Sequence, residues 1–177
     1  MNSSPIRRHV LLWGMMGSGK STVGPLLAAH LNQGYVDLDG AIEATAKLSI
    51  SDIFTHHGET AFRQHEASLL MEHLERAVPQ TIALGGGALV DNELRAYARA
   101  RATVVCLSAS PKTLVHRIGD GTGRPLLTEN IEETLAGLLR DRSEAYADVD
   151  LVVATDLASP QSVAQSVASA LLDQEAA

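Results

Sequence analysis

The chain has 177 residues, 45% of them hydrophobic, with a formal net charge of −7 and one cysteine. That length and apolar content suit a single domain around one core and exclude a disordered chain. The acidic balance argues against a nucleic-acid partner, no apolar stretch reaches membrane-spanning length, and the lone Cys106 cannot form an intramolecular disulfide, which fits a reducing cytoplasm.

The first predicted strand, 9–13, contains the run Val10-Leu11-Leu12-Trp13. Directly after the strand stands Gly14-Met-Met-Gly17-Ser18-Gly19-Lys20-Ser21-Thr22, which fits G-x-x-x-x-G-K-[ST] at every fixed position. With Arg7-Arg8 in front, the strand faintly resembles a signal peptide, but cleavage there would destroy the glycine loop, so that reading is set aside. The chemistry of the loop requires those residue types. Glycines let successive N–H groups turn inward on an anion, and the opening helix, 19–31, adds its positive dipole end. Lys20 reaches the β- and γ-phosphates, and the Ser21 hydroxyl suits Mg²⁺. Residues Gly17 to Thr22 are therefore expected to bind a nucleoside triphosphate.

The second predicted strand, 34–37, runs into Asp37-Leu38-Asp39. Alternate residues of an extended segment point the same way, so both carboxylates can face one site. One would serve Mg²⁺ through water and the other would accept a proton from a hydroxyl. The competing reading makes Asp39 the N-cap of a helix at 40–48. Further helices are predicted at 51–57 and 59–77. In Gly58-Glu59-Thr-Ala-Phe62-Arg63-Gln-His-Glu66, the acids flank Arg63 at helical spacing. This is either a solvated salt-bridged face or an arginine held by two acids and aimed at an anionic substrate.

The third predicted strand, 81–84, ends in Gly85-Gly86-Gly87, where a ligand can approach the backbone closely. Thr81-Ile-Ala-Leu84 carries no acid, so metal binding falls on Ser21, Asp37 and water. A helix at 91–101 opens at Asp91, and a fourth strand at 103–108 carries Cys106 as a small buried hydrophobe. After a helix at 111–118 comes Gly119-Asp-Gly-Thr-Gly-Arg124-Pro125, either a surface connection or a lid carrying an arginine. The next helix, 131–146, places Arg142 and Tyr146 on one face. Asp148 and Asp150 read as loop residues before the last strand, 151–154, and Ser159-Pro160 opens a final helix over 160–172. No histidine pair has metal-ligand spacing, and none is given a role. The alternation of unalternating apolar strands with helices predicts an α/β protein with a parallel sheet covered on both faces, its ligands at the carboxyl ends of the strands.

Taken together, these residues resemble the shikimate kinase family from about residue 9 to 170. The resemblance rests on the glycine loop Gly14–Thr22, Asp37-Leu-Asp39, the Gly-Glu-x-x-Phe-Arg-x-x-Glu run, the glycine triplet, Arg124-Pro-Leu-Leu127, and Arg142 with Tyr146 four later. It implies a three-layer α/β/α P-loop kinase with a five-stranded parallel sheet in the order 2-3-1-4-5. A small lid would lie near 119–130 and an acceptor-binding helical segment near 39–66. It also implies transfer of the ATP γ-phosphate to the 3-hydroxyl of shikimate, with Mg²⁺, by a monomer. Lys20, Asp39 and Arg124 match the catalytic residues, and Asp39, Arg63, Gly85, Gly86, Gly87 and Arg142 the acceptor site. Arg63 and Arg142 would hold the substrate carboxylate. Ser21 would hold the metal directly and Asp37 through water. Arg117 matches an arginine near adenine, with Thr155–Pro160 as the opposite wall. The family often has proline in the segment after Arg142, where this chain has Ser143-Glu144-Ala145. The alternatives are a gluconate-type kinase and an acceptor-less nucleotide switch, though the N-K-x-D base-specificity motif of a switch is not visible.

Overall fold

The computed structural model describes residues 6–119, 126–127 and 130–176. Arg124 and most of the expected lid lie outside the described residues. The elements run β1 (His9–Trp13), α1 (Lys20–Leu31), β2 (Gly34–Asp37), α2 (Leu38–Ala46), α3 (Ile50–Leu74) and β3 (Gln80–Ala83). Next come α4 (Asn92–Arg101), β4 (Ala102–Ser108), α5 (Pro111–Ile118), α6 (Ile131–Ala147), β5 (Leu151–Ala154) and α7 (Pro160–Ala176). All strand pairings are parallel, in the order β2-β3-β1-β4-β5.

The side-chain period of two explains why β1 is apolar from Val10 to Trp13. Val10 and Leu12 pack on α1 and α7 with Val23, Leu27, Val163 and Val167. Leu11 and Trp13 face the other way, into a core with Leu38, Ile42, Phe62, Leu70 and Ala145. A strand buried on both faces has no solvent side to reward polar residues. The topology brings the ends of β1, β2 and β3 together, so the loops after Trp13, Asp37 and Ala83 share one rim.

Local chemistry sets the helix starts. Asp91 accepts from Leu94 N at 2.8 Å, and Ser110 caps α5 ahead of Pro111. The expected break between 57 and 59 is a kink rather than a gap: Gly58 has φ 79° and ψ 170° inside α3, a conformation that an L side chain resists. One expectation is corrected. Asp39 is not the cap of a helix beginning at 40. Asp37 is, accepting from Gly40 N, while Asp39 lies in the first turn of α2. The extended alternation therefore ends one residue earlier than the Asp-Leu-Asp pattern suggested, and helical geometry, not strand pleat, aims Asp39.

Asp148 and Asp150 are more than loop residues. Asp148 pairs with Arg95 and Arg99, and Asp150 pairs with Arg99 and accepts from Val104 N at 2.8 Å. They anchor the turn into β5. No helix among the described residues is long and apolar enough to cross a membrane.

Candidate active site

The strand-to-helix loop after β1 forms as its glycines require. Gly17 (φ 79°) and Gly19 (φ 102°) both lie in the left-handed region, and Gly19 is the N-cap of α1. Ser18 N bonds back to Met15 O at 3.1 Å, closing the loop. Lys20 Nζ donates to the carbonyls of Gly14 (2.8 Å) and Met15 (3.0 Å), which holds the ammonium against the loop that it serves. A cavity of about 530 Å³ opens over this loop, lined by Met16–Val23, Asp37, Asp39, Gly85, Gly86, Arg117, Thr155, Ala158 and Pro160.

Each end of that cavity is fixed by its own contacts. At one end Ser21 Oγ donates to Asp37 Oδ2 at 2.9 Å, and Tyr35 Oη reaches the same oxygen at 3.4 Å. Tyr35 fits under α1 because Gly24 has no Cβ to meet its ring. At the other end Arg117 donates to Thr155 Oγ1 (2.9 Å), Thr155 O (2.7 Å) and Gly17 O (3.3 Å). The Thr155 hydroxyl lies 3.1 Å from Ser18 O, so β5 is tied to the glycine loop through one side chain. Asp156 accepts from Ser110 N and Thr113 and thereby holds the same wall.

A second, smaller cavity of about 130 Å³ adjoins the first, lined by Met16, Asp39, Ile50, Phe54, Phe62, Arg63, Gly85, Gly86, Gly87, Leu126 and Arg142. It combines two guanidinium groups and a carboxylate with an apolar wall in which Phe54 and Phe62 lie 4.9 Å apart. Arg63 pairs with Glu59, which is exposed, and with Glu66, which is buried, so the side chain is anchored at the edge of this cavity rather than lying free on a solvated face. Burial works against its charge, but Glu66 and Glu59 together outweigh it and keep Arg63 cationic. Arg142 is 7% exposed, and its Nη1 has no partner among the described residues. A buried guanidinium nitrogen without an acceptor is suited to receive an anion.

Asp39 faces both cavities. Burial pushes its carboxyl above the usual range, and nearby Asp37 adds to this, while Lys20 and Arg63 oppose it. Its Oδ1 is buried and has no partner among the described residues. The glycine triplet is explained by crowding. A Cβ on Gly87 would lie 2.5 Å from Arg63 Nη2, and one on Gly86 would lie 3.2 Å from Arg142 Nη1. One on Gly85 would collide with Glu66 Oε1. The close approach that the triplet permits is thus, in the first place, that of the protein's own charged side chains.

Of the residues expected from sequence, Gly17 to Thr22, Asp37, Asp39 and Arg117 meet in the larger cavity. Arg63, Gly85, Gly86, Gly87 and Arg142 meet with Asp39 in the smaller one. Arg124 lies outside the described residues. Sequence reasoning gave no part to Tyr35 or Trp13, which no local pattern marks; Tyr146 stood out only by its place four residues after Arg142, and Thr155 only as the start of the Thr155–Pro160 wall.

The sheet order, the glycine loop and the paired cavities define a P-loop kinase. A family model described as shikimate kinase matches residues 16–172. A shikimate kinase of Chlorobium limicola is 40% identical over 157 residues, covering 84% of this chain and 78% of that protein. Among solved structures, a shikimate kinase from Acinetobacter baumannii in complex with shikimate superposes with a TM-score of 0.90 at 32% identity, covering 95% of this chain and 94% of that one. A gluconokinase from Sinorhizobium meliloti shares the fold alone, at 19% identity and a TM-score of 0.62. The chain belongs to the shikimate kinase family, kinases that use ATP to phosphorylate an alcohol.

Proposed function

We propose that this chain transfers the γ-phosphate of ATP to the 3-hydroxyl of shikimate, giving 3-phosphoshikimate and ADP on the route to chorismate and the aromatic amino acids. The observation that carries the reading is Asp39, the one carboxylate among the described residues lining both the phosphate-loop cavity and the arginine pocket. A hydroxyl poised for phosphorylation must sit at that junction. Its oxygen attacks the γ-phosphorus, the bond from that phosphorus to the β–γ bridging oxygen breaks, and the hydroxyl proton passes to Asp39. A carboxylate raised by burial is a better base than an exposed one, and Lys20 and Arg63 still favour its ionised form.

Arg63 and Arg142 hold the acceptor's carboxylate, Phe54 and Phe62 its ring, and Lys20 and the Gly17–Thr22 amides the phosphates. Arg117 and the Thr155–Pro160 wall flank the adenine. Arg124 is assigned, from the family resemblance, to the transferring phosphate in a lid near 119–130, with 39–66 as the acceptor-binding segment of a monomeric, cytoplasmic enzyme of one domain.

The described residues include no cluster of three or more His, Cys, Asp or Glu side chains able to cage a metal. A hydroxyl and a carboxylate 2.9 Å apart, beside the phosphate loop, nevertheless suit Mg²⁺. That ion keeps most of its waters and takes its remaining oxygens from substrate phosphates and one or two side chains. Ser21 would hold it directly and Asp37 through water. When bound, it would neutralise charge on the β- and γ-phosphates.

The test is ADP release with ATP and Mg²⁺ in the presence of shikimate, of gluconate, or of no acceptor. The reading requires release that depends on shikimate. Equal release without acceptor identifies a hydrolytic switch, and release with gluconate alone identifies a polyol-acid kinase.

Gly87→Ala offers a more local check. Its Cβ would strike the end of a side chain and not backbone, so the fold tolerates the change, but that end is the Arg63 guanidinium. Moving it breaks a directed charge-assisted contact, so the KM for shikimate rises roughly tenfold or more while the KM for ATP stays within about twofold. Steady-state kinetics at saturating co-substrate read both, and equal changes in the two KM values would refute the assignment.

A further inference from the structure

Beneath the smaller cavity, the glycine turn rests on two side chains to which phosphoryl transfer has given no task. Trp13, the last residue of β1 and the chain's single tryptophan, is fully buried and donates its Nε1–H to the Gly86 carbonyl at 3.2 Å. Tyr146, in the last turn of α6, donates its hydroxyl to the same oxygen at 2.8 Å. The two rings meet edge to face, with centroids 4.6 Å apart and planes at 67°. A carbonyl oxygen has two lone pairs. Here a strand on one side and a helix on the other fill both.

The consequence lies on the far side of the peptide. In a trans peptide the C=O and the following N–H point in opposite directions, and the described residues contain no cis bond. With the Gly86 carbonyl turned toward Trp13 and Tyr146, the Gly87 N–H turns away from them, and Gly87 itself lines the cavity with Arg63 and Arg142. Two adjacent glycines carry no Cβ to resist rotation of that peptide. Left unpinned, the turn would spend much of its time with the amide directed elsewhere.

We propose that Trp13 and Tyr146 are positioning residues for the acceptor: by gripping the Gly86 carbonyl from two elements, they aim the Gly87 amide into the carboxylate pocket between the two arginines. Tyr146 stands one helical turn after Arg142, so α6 brings a guanidinium and the pin for the facing amide as one rigid unit. The grip costs nothing in buried polarity, because the indole and phenol donors each need an acceptor inside the core.

The proposal rests on the shikimate reading, and shikimate-dependent turnover by the unaltered protein tests that reading separately. Tyr146→Phe removes one oxygen and leaves the packing; that oxygen also faces the Arg142 guanidinium, so the same KM split is required of a variant at the other donor. Trp13→Phe removes the other donor but also volume. Losing one donor of a pair should raise the KM for shikimate roughly fivefold, in line with a single hydrogen bond. The ATP KM should stay within about twofold, and kcat should change less than the shikimate KM. The double variant should lose more than the product of the two single effects, because only then is the peptide free to turn. A purely structural role would instead lower thermal stability and shift both KM values together.

A measurement on the unaltered protein gives a second line. On adding shikimate without nucleotide, the Gly87 amide and the Trp13 indole N–H, the only indole signal in the chain, should both move in the ¹⁵N-¹H spectrum. A Gly87 amide that stays put while shikimate saturates, or a Tyr146→Phe enzyme with an unchanged shikimate KM, overturns the proposal.

Discussion

Lys20→Ala removes nearly all turnover and leaves the fold intact. The lysine is fixed by Gly14 O at 2.8 Å and Met15 O at 3.0 Å, so its ammonium is in place before any nucleotide arrives. A group positioned in advance at the site of developing charge costs no reorganisation as the phosphate leaves ATP. Donors of this kind supply several kcal/mol, or roughly 10²- to 10³-fold in rate for a single one. Here the group is also a full cation, and no other lysine lines the cavity among the described residues. The truncation takes one shared donor from the Gly14 and Met15 carbonyls, and the space it leaves, continuous with the cavity that Lys20 lines, admits water in its place at little cost. Turnover by ADP release should therefore fall by roughly 10³-fold while the circular dichroism spectrum and melting temperature barely move. Turnover within about threefold of the parent would remove the phosphate-loop assignment.

Asp39→Asn keeps the size of the side chain but removes its charge and its basicity. Turnover should drop by roughly 10²-fold or more, with ATP affinity nearly unchanged, since Ser21, Lys20 and the loop amides remain. The same substitution has a second, opposite consequence. Burial is the largest influence on Asp39 and raises its pKa in the folded protein. A raised carboxyl binds its proton more readily folded than unfolded. Its contribution to stability is thus fully present below the unfolded pKa, about 4, and is lost as pH rises through the folded value. At neutral pH the ionised group is a net cost, which the neutral amide does not incur. Asp39→Asn should melt at a higher temperature than the parent at pH 7, and the gap should close as pH falls toward about 4. A variant that loses both activity and stability at pH 7 would show that Asp39 is a structural pairing residue and not a base held ready at some expense to the fold.

The parts of this molecule legible in its sequence are those governed by neighbours along the chain. The Gly14–Thr22 loop is set by residue types at fixed spacing. The strands at 9–13, 34–37 and 151–154 show as short apolar runs between turn signals, and the starts at Asp91 and Pro160 as capping chemistry. Arg63 shows where local reasoning stops. Its spacing to Glu59 and Glu66 fits a solvated face as well as a held ligand-binding arginine, and what decides between them is the burial of Glu66, at 1% exposure, against the Gly85 turn. That contact depends on α3 and β3 meeting in space.

The same limit hid the grip on Gly86. Trp13 and Tyr146 lie 73 and 60 residues from the carbonyl that they share. In sequence, one is an apolar strand residue and the other an aromatic on a charged helix. Asp37 and Asp39 are recognisable as a pair, yet their geometry differs from expectation, because the helix begins earlier than the pattern implies and turns Asp39 by helical instead of strand periodicity. Tyr35 passes under α1 only because Gly24 leaves room, a fact of helix-on-sheet packing that neither residue announces.

On the proposed function, two arginines hold a carboxylate-bearing alcohol beside the phosphate loop. A protein of net charge −7 gains no long-range attraction for an anion, so local contacts must supply the binding. A guanidinium grips a carboxylate through parallel hydrogen bonds that lysine cannot reproduce, each worth about 1.5–3 kcal/mol. The direct measurement compares kcat/KM for shikimate and its neutral carboxamide in the parent enzyme and in Arg63→Lys and Arg142→Lys. For the parent, the amide should be poorer by roughly ten- to a hundredfold; each lysine variant should lose a similar factor on the acid but much less on the amide. An amide phosphorylated as efficiently as the acid by the parent enzyme would contradict the account, leaving Arg63 and Arg142 as charges that hold the helices and not the substrate.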